Sequence, residues 1–245
     1  MRLIQSFSFL RNSGPILPLC GLLLLTACST PKTTSAGFTQ GETALNRGDY
    51  LQAVALYTQA ITKDEANPLL YAERGSAYNG LHRFKQALAD FDTALAKIKD
   101  QKDPRLVYIY YHRGYAYELE GFKKEGLENY LKAVALNPAF PDAHGNAAWI
   151  LATHPDSNLR NPKKALEYAL IEAKISKMAD TAVLDTLAAA YAANGRFDEA
   201  VVTQKKALAS ATDHEDKFNF AERLKLYEQK KSYVEPIKAN ATVQK

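Results

Sequence analysis

Five histidines, two cysteines and a few carboxylate pairs are the side chains through which these 245 residues could hold a metal or carry out covalent or acid–base chemistry. Zinc ligands on a helix stand one turn apart, yet His82, His112, His144, His154 and His214 form neither a His-x-x-x-His nor a His-Glu-x-x-His pattern. His154 does precede Pro155 and Asp156, but a loop histidine beside an aspartate is common by chance. General acid–base work needs two groups converging on one point, and Glu118 and Glu120, two apart on a helix, project to different sides. Neither a Gly-x-Ser-x-Gly elbow nor a glycine-rich phosphate loop occurs. Arg74 and Arg113 each stand before a glycine, and a guanidinium can clamp a carboxylate in bidentate fashion. What remains is recognition chemistry: the chain reads as no enzyme, with no cofactor and no metal.

Cysteine points to an address instead of a reaction. Arg2 and Arg11 precede an apolar run from Ile16 to Leu25 that is too short to cross a bilayer as a permanent helix, so the segment reads as an export signal. The run closes on Leu25, Thr26, Ala27 and Cys28, which resembles the lipobox of bacterial lipoproteins. That resemblance implies loss of residues 1–27 as a signal peptide and lipidation of Cys28. Two or more acyl chains, palmitate among them, would give the stable anchoring that a single chain does not. Residue two would be Ser29 and not Asp, which in lipoproteins of this kind implies the outer membrane, with the protein facing the periplasm. Cys20 would leave with the signal and Cys28 would be capped, so no thiol would remain for a disulfide or a thiolate site. Without Arg2 and Arg11 the charge balance is 29 basic against 27 acidic residues. That near neutrality argues against nucleic acid as a partner, and the lysine pairs at 123–124, 163–164 and 205–206 read as solvated helix faces.

The elements that would position a binding surface follow from a recurring set of small and aromatic residues. Tyr71, Gly75, Tyr78, Phe84, Ala87, Phe91 and Ala94 reappear 39 residues later, beginning Tyr110, Gly114, Tyr117, Gly121, Tyr130 and Ala133. Small residues at fixed spacing let two helices cross closely, and aromatics fill the gaps beside them. This pattern resembles the 34-residue tetratricopeptide repeat, with about five residues added at Lys99 to Pro104. The resemblance implies an all-α solenoid, a right-handed superhelix of about five helix pairs. The expected divisions are a tether at 28–37, repeats at 38–67, 68–104 and 105–140, a degenerate fourth repeat with an expanded loop at 141–180, and a fifth at 181–212. A capping helix at 214–232 and a tail at 233–245 complete the chain. The tether, rich in Ser, Thr, Lys and Pro, reaches only about 30 Å when extended, which would keep the scaffold near the membrane. Asp216 to Lys231 has an amphipathic pattern suited to a terminal cap.

In arrays of this family the first helix of each pair lines an inner, concave surface. Carried over by position, the resemblance implies a partner-binding groove of Asn79, Tyr108, Tyr111, Tyr115, Glu118, Trp149 and Asp185. Ala72, Ser76, Leu119, Asp142, Gly145, Thr153, Ala189 and Ala192 fall at the same repeat positions. Aromatics with a polar tip dominate interaction hot spots because they bury much area at little conformational cost. Each of these rings could equally pack between neighbouring helices. Arg74 and Arg113 are favoured as structural, their stems packed and their heads paired to nearby acids. The resulting expectation is a lipid-anchored scaffold binding proteins or peptides of the cell envelope. A self-associating structural subunit of a pilus or secretion assembly, stacking through Phe197, Phe218, Phe220 and the C-terminal helix, is the alternative.

Overall fold

The structure, a computed structural model, describes residues 36–178 and 180–236. The expected signal, Cys28 and the tether up to residue 35 lie outside the described residues. Among those described there are eleven α-helices, one short 3-10 turn and no strand. They form two compact units that meet in sequence at Asn137 and Pro138.

The N-terminal unit is three helix hairpins: α1 (Ala36–Asn46) with α2 (Tyr50–Lys63), α3 (Pro68–Gly80) with α4 (Phe84–Lys97), and α5 (Arg105–Leu119) with α6 (Lys123–Leu136). First helices also touch one another, α1 with α3 and α3 with α5. Each hairpin turns through one residue in the left-handed region: Gly48, His82 and Gly121, at φ 78°, 56° and 92°. A C-terminal cap of this kind lets the next amide reach back to an orphaned carbonyl, as Arg83 N does to Tyr78 O at 2.9 Å and Phe122 N to Tyr117 O at 2.8 Å. Asn67 opens α3 by accepting from Leu69 N at 3.0 Å, with Pro68 in the first turn, where its missing N–H costs nothing.

The core of each hairpin is one aromatic ring seated on one glycine. Tyr57, Phe91 and Tyr130 are completely buried, and each lies sixteen residues beyond its glycine, Gly41, Gly75 and Gly114. A Cβ added to Gly75 would stand 2.9 Å from the Phe91 ring, so the helices have closed to the limit that glycine allows. On α3 and α5 the row Tyr-Arg-Tyr packs outside this core. Arg74 lies 5.7 Å from the Tyr71 ring and 5.9 Å from Tyr78, and its Nε and Nη2 donate to both oxygens of Asp90 at 2.8 Å. Arg113 repeats the arrangement between Tyr110 and Tyr117, donating to Asn129 Oδ1 at 2.9 Å and Asp92 Oδ1 at 2.6 Å. The two arginines are therefore spent on joining helices, as their packed stems require.

His112 couples neighbouring hairpins. Its ring stacks on Phe91 at 6.5 Å, and its carbonyl accepts from Asn79 Nδ2 at 2.9 Å. Burial pushes the imidazole down to about 4 from an ordinary 6.5. Between those values the unfolded chain binds a proton that the folded chain refuses, so stability falls as pH drops from 6.5 and the loss is complete below about 4. The loss expected from this group is about 3 kcal/mol. Urea midpoints at pH 7 and pH 4.5 should differ less in His112→Phe than in wild type; an equal drop in both would show that His112 titrates normally.

The C-terminal unit comprises α7 (Pro141–Thr153), α8 (Pro162–Ile175), α9 (Thr181–Ala193), α10 (Phe197–Ser210) and α11 (His214–Glu228). The expanded turn after α7 contains the 3-10 turn Ser157–Leu159 and closes when Asn161 N donates to Leu151 O at 2.9 Å. Asn161 then caps α8 through Lys164 N at 3.1 Å. Gly195, at φ 73°, turns α9 into α10. Helix α11 stops four residues short of the expected cap, and residues 231–236 continue without helical structure.

Candidate functional site

The first helices carry the side chains expected to face a partner, and their placement differs between the units. On α5, Tyr108, Tyr111 and Tyr115 are half-buried and spaced three and four apart, so they share one side of the helix. The Tyr111 ring lies 5.9 Å from that of Tyr130, which anchors it to the α6 core. Glu118, also half-buried, accepts from the Tyr130 hydroxyl at 2.8 Å. Its carboxylate thus relieves a phenol whose ring is buried at the hairpin crossing.

Asn79 corrects the expectation. It is only 2% exposed, and Ala72 and Ser76 on the same helix are buried with it. The side of α3 carrying these three meets α5 and not an open groove, as the bond from Asn79 to the His112 carbonyl shows.

Asp185 is the second correction. It is 1% exposed, within a run of α9 buried from Ala182 to Ala190. Its Oδ1 accepts from Arg223 Nε of α11 and from Gln204 Nε2 of α10, both at 2.8 Å. Burial works against the Arg223 charge, but the facing Asp185 carboxylate outweighs it and the guanidinium pKa is raised. Burial likewise pushes the Tyr227 phenol upward, with Asp185 adding to the shift. Gln204 stands where the repeat pattern puts the core aromatic, sixteen residues beyond Ala188 as Phe91 is beyond Gly75. That substitution was the signal in the sequence that this pair of helices holds a polar core.

Trp149 is half-buried on α7, and what it faces is the segment that follows α11. Its Nε1 donates to Glu235 Oε1 at 2.8 Å, its ring lies 6.0 Å from Tyr233, and the Arg223 guanidinium stands 5.4 Å from its centre. Residues 232–235 run from the end of α9, where Ser232 Oγ donates to Ala192 O at 2.7 Å, to the end of α7, where Glu235 N donates to Thr153 O at 2.8 Å. Thr153, Ala189 and Ala192 are buried in this region too. Two of the three aromatics expected to serve self-association are also committed: Phe220 is buried beside Leu184 and Ala207, and Phe197 packs with Ala188 and Tyr227. Phe218 alone of the three is open, at 58% exposure.

Among the described residues no three His, Cys, Asp or Glu side chains are grouped to hold a metal ion, and no helix is long and apolar enough to cross a membrane. The arrangement offers apolar rings with polar tips, which suit the binding of a peptide segment.

Residues 107–140 match the family model described as Tetratricopeptide repeat. Over 95 residues the chain is 33% identical to Small glutamine-rich tetratricopeptide repeat-containing protein 2 of Saccharomyces cerevisiae, which covers 39% of this chain and 26% of that protein. Over 51 residues it is 39% identical to Hsp70-Hsp90 organizing protein 3 of Arabidopsis thaliana, covering 21% of this chain and 9% of that one. The matched stretch is thus a minor part of either relative. Among solved structures, MamA superposes with a TM-score of 0.56 at 22% identity, covering 74% of this chain and 96% of that one. YrrB, described as a TPR protein with an unusual peptide-binding site, gives 0.58 at 19% identity, covering 76% and 90%. Sequence similarity at residues 107–140, with an architecture shared over about three quarters of the chain, therefore supports the tetratricopeptide-repeat family and an all-α solenoid fold.

Proposed function

We propose that this chain is a lipid-anchored scaffold, facing the periplasm from the outer membrane, that binds protein or peptide partners of the cell envelope and does no chemistry on them. The observation that carries the binding role is the row of half-buried tyrosines, Tyr108, Tyr111 and Tyr115, along one side of α5. A rigid helix presents them, so little ordering is required when a partner docks. Similarity to a relative named as an organizing protein and to a structure described as having a peptide-binding site supports the same reading. The anchor rests on Leu25, Thr26, Ala27 and Cys28 following the apolar run.

Tyr108→Ala with Tyr115→Ala is the test; it spares the Tyr111 contact with Tyr130, and because Tyr108 also packs against the core around Phe91 and Ile109, folding is checked alongside binding. The full chain should capture partners from envelope extracts, and the doubly substituted chain, with an unchanged circular dichroism spectrum, should lose at least about tenfold in yield, as hot-spot aromatics do. An unchanged partner set at unchanged yield would overturn the binding assignment. Cys28→Ser should abolish fatty-acid labelling and release the protein from the membrane fraction, and persistent label would defeat the anchor.

A further inference from the structure

The segment running across α7 and α9 has the geometry of a bound peptide. Residues 231–236 are neither helix nor strand; Glu235 N donates to Thr153 O, a carbonyl that the last turn of α7 leaves without an intrahelical donor, and Ser232 Oγ adds a second donor to Ala192 O, which Gly195 N already reaches at 2.9 Å. Side chains alternate as in an extended chain: Tyr233 points in, Val234 is 39% exposed, and Glu235 points in at 8%. The inward pair is read by two side chains, Arg223 and Trp149. Arg223 stands 5.3 Å from the Tyr233 ring, Trp149 packs beside that ring, and the indole N–H grips the Glu235 carboxylate. Arg223 is itself held by Asp185 beneath, so this floor persists whether or not the segment is seated.

We propose that this face of the C-terminal unit is a receptor for extended segments of the pattern aromatic-x-glutamate in a protein partner, and that Tyr233 and Glu235 occupy it in cis until such a partner displaces them. The inference rests on the reading of the helix stack as a peptide receptor and names the ligand class for one of its faces. Only about four residues are seated, and a short link, Gln229 to Lys231, ties them to α11. A tether that short holds its ligand at an effective concentration in the millimolar range, so a free peptide of equal intrinsic affinity is excluded from the wild-type chain below that level. A partner prevails by extending the contact beyond the seated residues.

Trp149, the single tryptophan, reports the site directly. In the full chain in mild detergent, Tyr233→Ala with Glu235→Ala should raise acrylamide quenching of Trp149 about threefold while leaving helical circular dichroism unchanged. The peptide KSYVEP should then restore the protection in that variant, with affinity at least about tenfold above that for wild type. The peptides KSYVQP and KSAVEP should bind at least about tenfold more weakly, since each removes one of the two groups that are read. Equal quenching in variant and wild type, equal binding of KSYVEP to both, or indifference to the Glu-to-Gln change would each overturn the proposal. A wild-type dimer in light scattering that the double substitution dissolves would assign the face to the segment of a second copy, and would overturn it too. Partner capture that depends on Tyr108 and Tyr115 is read separately, so this inference can fail while the scaffold reading stands.

Discussion

Arg223→Ala is expected to lower the unfolding free energy by about 3–5 kcal/mol, the cost of leaving a buried charge without its counter-ion. Asp185 and Arg223 are 1% and 5% exposed at the side chain, and the bond between them is 2.8 Å. Removing the guanidinium leaves Asp185 with Gln204 as its remaining donor among these groups, and one neutral amide does not replace a charged partner. The arginine also fills space among the rings of Trp149, Phe220 and Tyr233, each within 5.4 Å of its guanidinium carbon, so packing is lost with charge. Replacing both partners with apolar residues, Asp185→Leu with Arg223→Met, should recover most of the loss, because no orphaned charge remains. Urea denaturation with an unchanged m-value checks both variants. A single-substitution cost below about 1 kcal/mol would be that of a solvent-screened surface pair and would contradict the burial described here.

The helix pairs were legible because their determinants are local and periodic. A glycine and an aromatic sixteen residues apart, as at Gly75 with Phe91 and Gly114 with Tyr130, are the two halves of one crossing and lie within a single hairpin. The pairing of Arg74 to an acid followed from the same logic, since an arginine stem in a packed row must bring its head to a carboxylate. The partner-facing residues were less legible, because position within a repeat says which way a side chain points and not what another element lays over it. Asn79 is covered by α5, and Asp185 by α10 and α11. Trp149 and Glu235 are 86 residues apart, and nothing periodic links them. The segment that covers α7 and α9 has no helical pattern of its own. Its one sequence clue was indirect: Gln204 at a core aromatic position announced a polar interior that needed partners from beyond the repeats.

Phe91→Ala should cost about 3–5 kcal/mol, since a completely buried ring is removed from the crossing of α3 and α4 and the backbone around it can collapse only in part. Its neighbour gives the opposite error. Gly75→Ala places a Cβ 2.9 Å from the same ring, and overpacking of this kind costs about 1–3 kcal/mol. If both costs come from one contact, the two changes cannot be additive: combining Gly75→Ala with Phe91→Leu should cost less than the sum of the singles by about 1 kcal/mol, because the smaller side chain vacates the space the new methyl needs. The next hairpin sets the limit of this compensation. At Gly114 an added Cβ meets the Tyr130 ring at 2.9 Å but also the Gly126 carbonyl oxygen at 3.1 Å, and a helix backbone does not retreat as a side chain does. Gly114→Ala should therefore stay destabilising when combined with Tyr130→Leu, with a smaller coupling than at Gly75 because the contact with the Gly126 carbonyl remains. Full additivity at Gly75 and Phe91, read from the same denaturation curves, would mean that glycine is tolerated there and not required, and the shared geometry of the two hairpins would no longer account for their shared sequence.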